Sequence, residues 1–278
     1  MKHKSVVLIA VLFLGLHRVS AQTPSLFDVG GYRLDVIRSG SGGPAVVLVA
    51  GLGDDLSEWN SVTTSLGEFS TVVAYSRAGL GRSEGVDRDH SAQAEVRELH
   101  VLIEKLSLKK PVVLVGSSYG GILVRLYISE YPNDVAGLVF VDATGEDQVK
   151  RYGKLDAAYP EAFRKSFEDL LKTQKGAEAA ETRESLRIQM AGTVEGMKPL
   201  PDIPMAILTS MQPKQNAQYV NQTARGYAEW RAMHEEWFDR SSNALHIETS
   251  KAGHHIMDDE PQLVIEAVRF VLDRVRTQ

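Results

Sequence analysis

Six short apolar runs with little polar alternation punctuate the chain, at residues 45–50, 71–75, 111–115, 138–141, 205–208 and 245–247. Such runs suit strands buried on both faces, as in a sheet covered by helices. Helical periodicity fills most of the gaps. Residues 91–106 carry Val96, Leu99, Leu102, Ile103 and Leu106 on one face, with Ser91 placed to cap the N-terminus. Residues 261–275 repeat the pattern with Leu263, Val264, Ala267, Val268 and Val271, and Pro261 suits a first helical turn. Ahead of these, residues 27–29 and 32–38 flank Gly30-Gly31 and predict an antiparallel hairpin. Alternating strands and helices predict an α/β fold with a mostly parallel sheet and helices on both faces.

Two stretches break the rhythm. Residues 145–201 hold no strand candidate, balance acids against bases, and space their Leu and Phe at helical intervals; they read as a helical cap inserted over the site. Residues 211–242 contain an aromatic helix with Tyr227, Trp230, Met233, Trp237 and Phe238, which reads first as core packing. No internal repeat is evident.

Composition narrows the classes. The chain has 278 residues, 43% hydrophobic and 24% charged, enough for a substantial core. A formal charge of −5 gives no basic character and argues against nucleic acid as a partner. The absence of cysteine excludes disulfides, zinc-thiolate sites, iron–sulfur clusters and a thiol nucleophile. The first 21 residues read as a signal peptide: Lys2 and Lys4, an apolar run over 6–16, then Val19-Ser20-Ala21 before the cut. The run is too short to span a membrane, which takes roughly 20 residues, so no span is expected after cleavage. Residues 22–278 then form one exported domain, periplasmic or secreted from a bacterium. It is more acidic than the whole chain, because Lys2, Lys4 and Arg18 leave with the signal.

Candidate chemistry centres on Gly116-Ser117-Ser118-Tyr119-Gly120, a G-x-S-x-G pattern between the apolar run 111–115 and a helical stretch 121–128. A tight strand-to-helix turn admits only small residues around the serine and leaves its hydroxyl clear of the chain. A second match, around Ser83, is flanked by Arg82 and Glu84 and followed by no apolar helix, so it reads as a loop. A serine nucleophile needs a base. His254 follows the strand 245–247 and precedes the last helix, which lets it reach the sheet edge where Ser118 sits; His255 competes. The base needs a carboxylate to orient it. No Asp or Glu occurs from Ile203 to Ala228, so the strand 204–208 supplies none, whereas the strand before it ends in Asp142. Asp142 is the candidate acid, with Glu146 and Asp147 behind it; Asp258 and Asp259 read as flanking the last helix. Backbone N–H groups of Leu52 and Tyr119 are candidate oxyanion donors. Gly51 and Gly53 lack the third glycine of a dinucleotide loop, and no His pair has metal-ligand spacing, so neither a cofactor nor a metal is expected.

Together with Gly51-Leu52-Gly53, Trp59, residues 77–83, Val141-Asp142-Ala143 and Gly253-His254, the elbow motif resembles the α/β-hydrolase superfamily, in its single-domain, esterase-like branch. The resemblance runs from about Phe27 to the C-terminus. It implies an eight-stranded sheet, a cap after the sixth strand, and hydrolysis without a cofactor. Three departures stand out: Ala50 where many members carry His, Ser76 where many carry Asp, and no acid after the seventh strand. Ser118 in place of an Asp nucleophile argues against epoxide hydrolysis and dehalogenation. The expectation is a serine hydrolase cleaving a small carboxylic ester through an acyl-serine. The same three residues could instead act on an amide, a lactone or a C–C bond, or form peracids. A hydrolase-fold ligand receptor is the non-enzymatic alternative. Substrate identity and oligomeric state are left open.

Overall fold

The computed structural model describes residues 23–85 and 87–277; the expected signal peptide lies outside them. The strands are β1 (Ser25–Asp28), β2 (Arg33–Ser39), β3 (Val46–Val49), β4 (Val72–Tyr75), β5 (Val112–Ser117), β6 (Val135–Val141), β7 (Met205–Ser210) and β8 (Ala244–Thr249). The helices are α1 (Asn60–Gly67), α2 (Ala92–Lys105), α3 (Tyr119–Glu130), α4 (Gln148–Leu155), α5 (Tyr159–Leu171), α6 (Gly176–Ala191), α7 (Ala224–Phe238), α8 (Ile256–Asp259) and α9 (Pro261–Arg276). The strands form one sheet in the order β1-β2-β4-β3-β5-β6-β7-β8. β1 with β2 and β2 with β4 pair antiparallel, and all later pairs are parallel.

The near-continuous apolar runs are explained by two cores, one on each face of the sheet. Side chains alternate along a strand, so Val47, Val49, Leu114, Leu138, Phe140, Met205 and Ile207 pack with α2, α3 and α7. Val46, Leu48, Val113, Val115, Val139, Val141, Ala206 and Leu208 pack with α1 and α9 on the other face. In β3, β4, β5 and β7 neither face meets water, which removes any reason for polar alternation there. The elements match the predicted pattern closely. Ser91 caps α2 by accepting from Ala94 N–H, and Pro261 opens α9. β6 starts three residues before its apolar run and β7 ends two residues after its own, whereas β3 and β4 fall inside theirs.

Three helices, α4 to α6, occupy the segment between β6 and β7, and α7 fills the one between β7 and β8. Among the described residues no helix is long and apolar enough to cross a membrane. The cores predict where stability resides. Leu114→Ala, in the fully buried centre of β5, is expected to cost about 2–5 kcal/mol in a denaturant titration. Leu170→Ala, on α5 and 41% exposed, is expected to change stability by less than about 0.5 kcal/mol.

Candidate active site

The parallel strands deliver their C-terminal ends to one edge, and the predicted residues gather there. Ser118 stands between β5 and α3 with φ 47° and ψ −119°, outside the regions a serine ordinarily adopts. Its backbone is held on both sides: Ser118 N–H donates to Val141 O at 3.3 Å, and Ser118 O accepts from Gly121 and Thr144 N–H, each at 2.9 Å. The turn is tight enough to need its glycines. A Cβ on Gly120 would lie 2.3 Å from Val49 O, and one on Gly116 would lie 2.6 Å from Gly120 O. The Ser118 hydroxyl projects into a cavity of about 390 Å³, with Thr144 Oγ1 at 3.4 Å.

Asp142 follows β6 and also has a positive φ, 44°. Its N–H donates to Leu208 O at 2.9 Å, which anchors it to the adjacent β7. The carboxylate is buried and accepts from three donors. His254 Nδ1 lies 2.7 Å from Oδ2, while Ser210 N–H and the Trp230 indole N–H each reach Oδ1 at 2.8 Å. The first contact makes Nδ1 the protonated nitrogen and leaves Nε2 free of that role. Burial works against a charged His254. Its hydrogen bond to Asp142 and the negative charge of Asp142, Glu58 and Asp54 outweigh that, holding the imidazole above its ordinary 6.5.

The remaining candidates sort cleanly. His255 has Glu58 Oε1 at 4.0 Å. Glu146 is paired with Arg125 and Asp147 with Arg151. Asp259 does more than flank the last helix: its Oδ2 accepts from Gly253 N–H at 2.7 Å, bracing the loop that carries His254. The Ser83 hydroxyl is spent inside a turn, accepting from Asp35 N–H and donating to Ser76 O. Leu52 and Tyr119 both line the cavity. Tyr119 opens α3, where the first backbone N–H groups of a helix have no intrahelical acceptor.

Sequence reasoning undervalued α7. Its aromatic residues form two adjoining stripes, of which only one is core. Met233 and Trp237 are buried, whereas Tyr227 and Trp230 line the cavity. A signal was available, since an indole N–H in an apolar stripe still needs an acceptor. His234, on the same helix, was unremarkable in sequence. It is fully buried, with Nε2 donating to Ala143 O at 2.9 Å and Nδ1 accepting from the Thr209 hydroxyl at 2.6 Å. Burial pushes its pKa down to about 4, so it stays neutral and pins the turn after Asp142. The cavity's outer wall comes from Tyr152, Tyr159, Phe163 and Phe167 on α4 and α5.

Among the described residues, two groups of side chains bring possible metal-ligand atoms within 4.8 Å of one another: His90, Glu95 and Glu181, and His100, Glu104 and Asp134. In the first, both oxygens of Glu181 are engaged by Arg77, and in the second Lys110 holds Glu104 and Asp134. A cation would compete with a positive side chain in each.

Residues 46–267 match the model of the alpha/beta hydrolase family. The uncharacterized protein YqjL of Bacillus subtilis (strain 168) is 25% identical over 232 residues, covering 83% of this chain and 84% of its own. Among solved structures, a thermophilic esterase from Thermogutta terrifontis superposes with a TM-score of 0.63 at 17% identity, covering 92% of this chain and 99% of that one. The enol-lactonase from Burkholderia xenovorans LB400 gives 0.61 at 16% identity, covering 90% and 100%. The electrostatics of the site can be read directly. By NMR, His254 is expected to titrate above 6.5 and to drop to a lower value in Asp142→Asn, which keeps the shape but loses the charge that outweighs burial.

Proposed function

The chain belongs to the alpha/beta hydrolase family, and on that footing we propose that it is a serine hydrolase cleaving a small carboxylic ester through an acyl-Ser118 intermediate. The observation that carries this reading is the 2.7 Å contact between His254 Nδ1 and Asp142 in the cavity that Ser118 enters. With Nδ1–H committed to the carboxylate, Nε2 is the basic nitrogen. It takes the Ser118 proton as Oγ attacks the ester carbonyl. The negative oxygen of the tetrahedral intermediate is met by Leu52 and Tyr119 N–H. His254, now doubly protonated and stabilised by Asp142, gives its proton to the departing alkoxide. A water attacks the acyl-enzyme by the same route in reverse, releasing the acid and restoring Ser118.

The positive φ at Ser118 supports the nucleophile role, because strain held by surrounding structure is typical of a residue placed for reaction. The aromatic wall suits an apolar acyl or alcohol group. No cofactor enters these steps. We also propose that residues 1–21 direct export and are removed; the mature protein from an expressing bacterium should begin at Gln22 by mass spectrometry, and an intact Met1 terminus would refute this.

Ser118→Ala should lower p-nitrophenyl ester hydrolysis by at least ~10³-fold and abolish fluorophosphonate labelling. Wild-type turnover by this variant would sink the nucleophile assignment. Since His254 acts as base only when neutral and its pKa is raised, kcat/KM should fall as pH drops through a value above 6.5. In Asp142→Asn that acid limb should move to lower pH, with kcat down on the order of 10⁴. Against a panel of ester, lactone and amide substrates, esters should turn over fastest; faster lactone or amide cleavage would overturn the choice of bond.

A further inference from the structure

The loop after β3 offers three backbone N–H groups in succession, and two are consumed on the protein side. Gly51 N–H donates to Glu58 Oε2 at 2.9 Å, and Gly53 N–H donates to Glu181 Oε2 at 3.0 Å. Among the described residues the Leu52 N–H has no such partner. Its direction is set by the carbonyl that shares its peptide. Gly51 O accepts from Arg77 Nη2 at 2.6 Å and, more weakly, from Asp54 N–H at 3.3 Å, and Ala50 O accepts from Arg77 Nη1 at 2.8 Å. The Gly51–Leu52 peptide is trans, so its N–H points opposite to its C=O. With the carbonyl drawn to the guanidinium, the Leu52 N–H faces away from it. Leu52 and Ser118 line the same cavity, and a Cβ on Gly51 would lie 3.5 Å from Ser118 Cβ, so the loop runs against the serine.

Arg77 is in turn placed by the cap. Its Nε lies 2.7 Å from Glu181 Oε1 and its Nη2 lies 2.8 Å from Oε2. Both side chains are almost completely buried, Arg77 at 1% exposure and Glu181 at 0%. Burial opposes the charge on Arg77, but Glu181 more than offsets it, so the guanidinium remains protonated. A single carboxylate on α6 therefore holds the oxyanion loop twice, directly at Gly53 and through Arg77 at Ala50 and Gly51.

We propose that Glu181 is a positioning residue: the cap helix α6 aligns the Leu52 N–H for the developing oxyanion, besides walling the cavity. This rests on the reading of Ser118 as an ester-cleaving nucleophile. Glu181→Gln is the direct variant, because its amide keeps an acceptor for Gly53 but turns an N–H₂ toward an Arg77 donor. Should Arg77, left with only Glu95 Oε2 at 4.0 Å as an ion-pair partner, prevent folding, the double variant Arg77→Met/Glu181→Leu removes both charges of the close pair, an exchange buried ion pairs often tolerate.

The test measures Tm, kcat and KM for a p-nitrophenyl ester, and Ki for a trifluoromethyl ketone, which forms an oxyanion on adding to the serine. In either folded variant, kcat should fall by about 10-fold to 100-fold, somewhat less than loss of a whole donor. KM should stay within about threefold, and Ki should rise by the same factor as kcat, the pattern of an interaction made in the transition state. Wild-type kcat and Ki with only a lower Tm would overturn the proposal, as would a change confined to KM. A wild-type protein that neither hydrolyses esters nor labels with a fluorophosphonate would remove the underlying reading instead.

Discussion

A buried carboxylate must be fully hydrogen-bonded or it destabilises the fold around it, and Asp142 is the carboxylate on which this architecture converges. It sits at the end of β6, 4% exposed, and draws one donor from the end of β7, one from α7 and one from the loop before α8. Those three segments all lie far from Asp142 in sequence. Each is brought to the same point by the parallel stacking of β6, β7 and β8. The carboxylate orients His254 and raises its proton affinity. It also fixes where α7 can lie, since the Trp230 indole has to reach it.

A buried charge pair, Arg77 with Glu181, holds another part of the candidate site. Arg77 follows β4 and Glu181 lies on α6; together they hold the loop after β3. The insertion between β6 and β7 is thereby tied to the sheet edge by hydrogen bonds to backbone as well as by apolar packing. The inserted segments contribute at both ends of the candidate site, α7 at Asp142 and α6 at the loop after β3. A serine whose own backbone is strained lies between them. That strain is borne by close contacts at Gly116 and Gly120 and by hydrogen bonds to β6.

Much of this was legible beforehand, for identifiable reasons. Strands covered on both faces have to be apolar throughout, so the runs at 45–50 and 111–115 announced a parallel sheet. The elbow was legible because its G-x-S-x-G spacing stands between an apolar strand run and a helical stretch, although the contact that requires Gly120 is with Val49 O on β3. Asp142 could be nominated because no Asp or Glu occurs along the next strand or after it as far as Ala228. Trp230 was harder to place. Its stripe on α7 adjoins the stripe of Met233 and Trp237, and periodicity marks an apolar face without saying whether a core or a cavity lies opposite. Glu181 carried no signal, being one of many acids in a segment of balanced charge.

The sequence by itself determined the fold family, the serine turn and the candidates Ser118, Asp142 and His254, because strand periodicity and the G-x-S-x-G spacing are written along the chain. Only the tertiary structure decided which polar groups meet. The partners of Asp142 lie 68, 88 and 112 residues away, and the Arg77–Glu181 pair spans 104. Such pairings follow from strand order, register and the docking of helices. Spacing along the chain does not encode the burial that makes a hydrogen bond between two of these groups decisive.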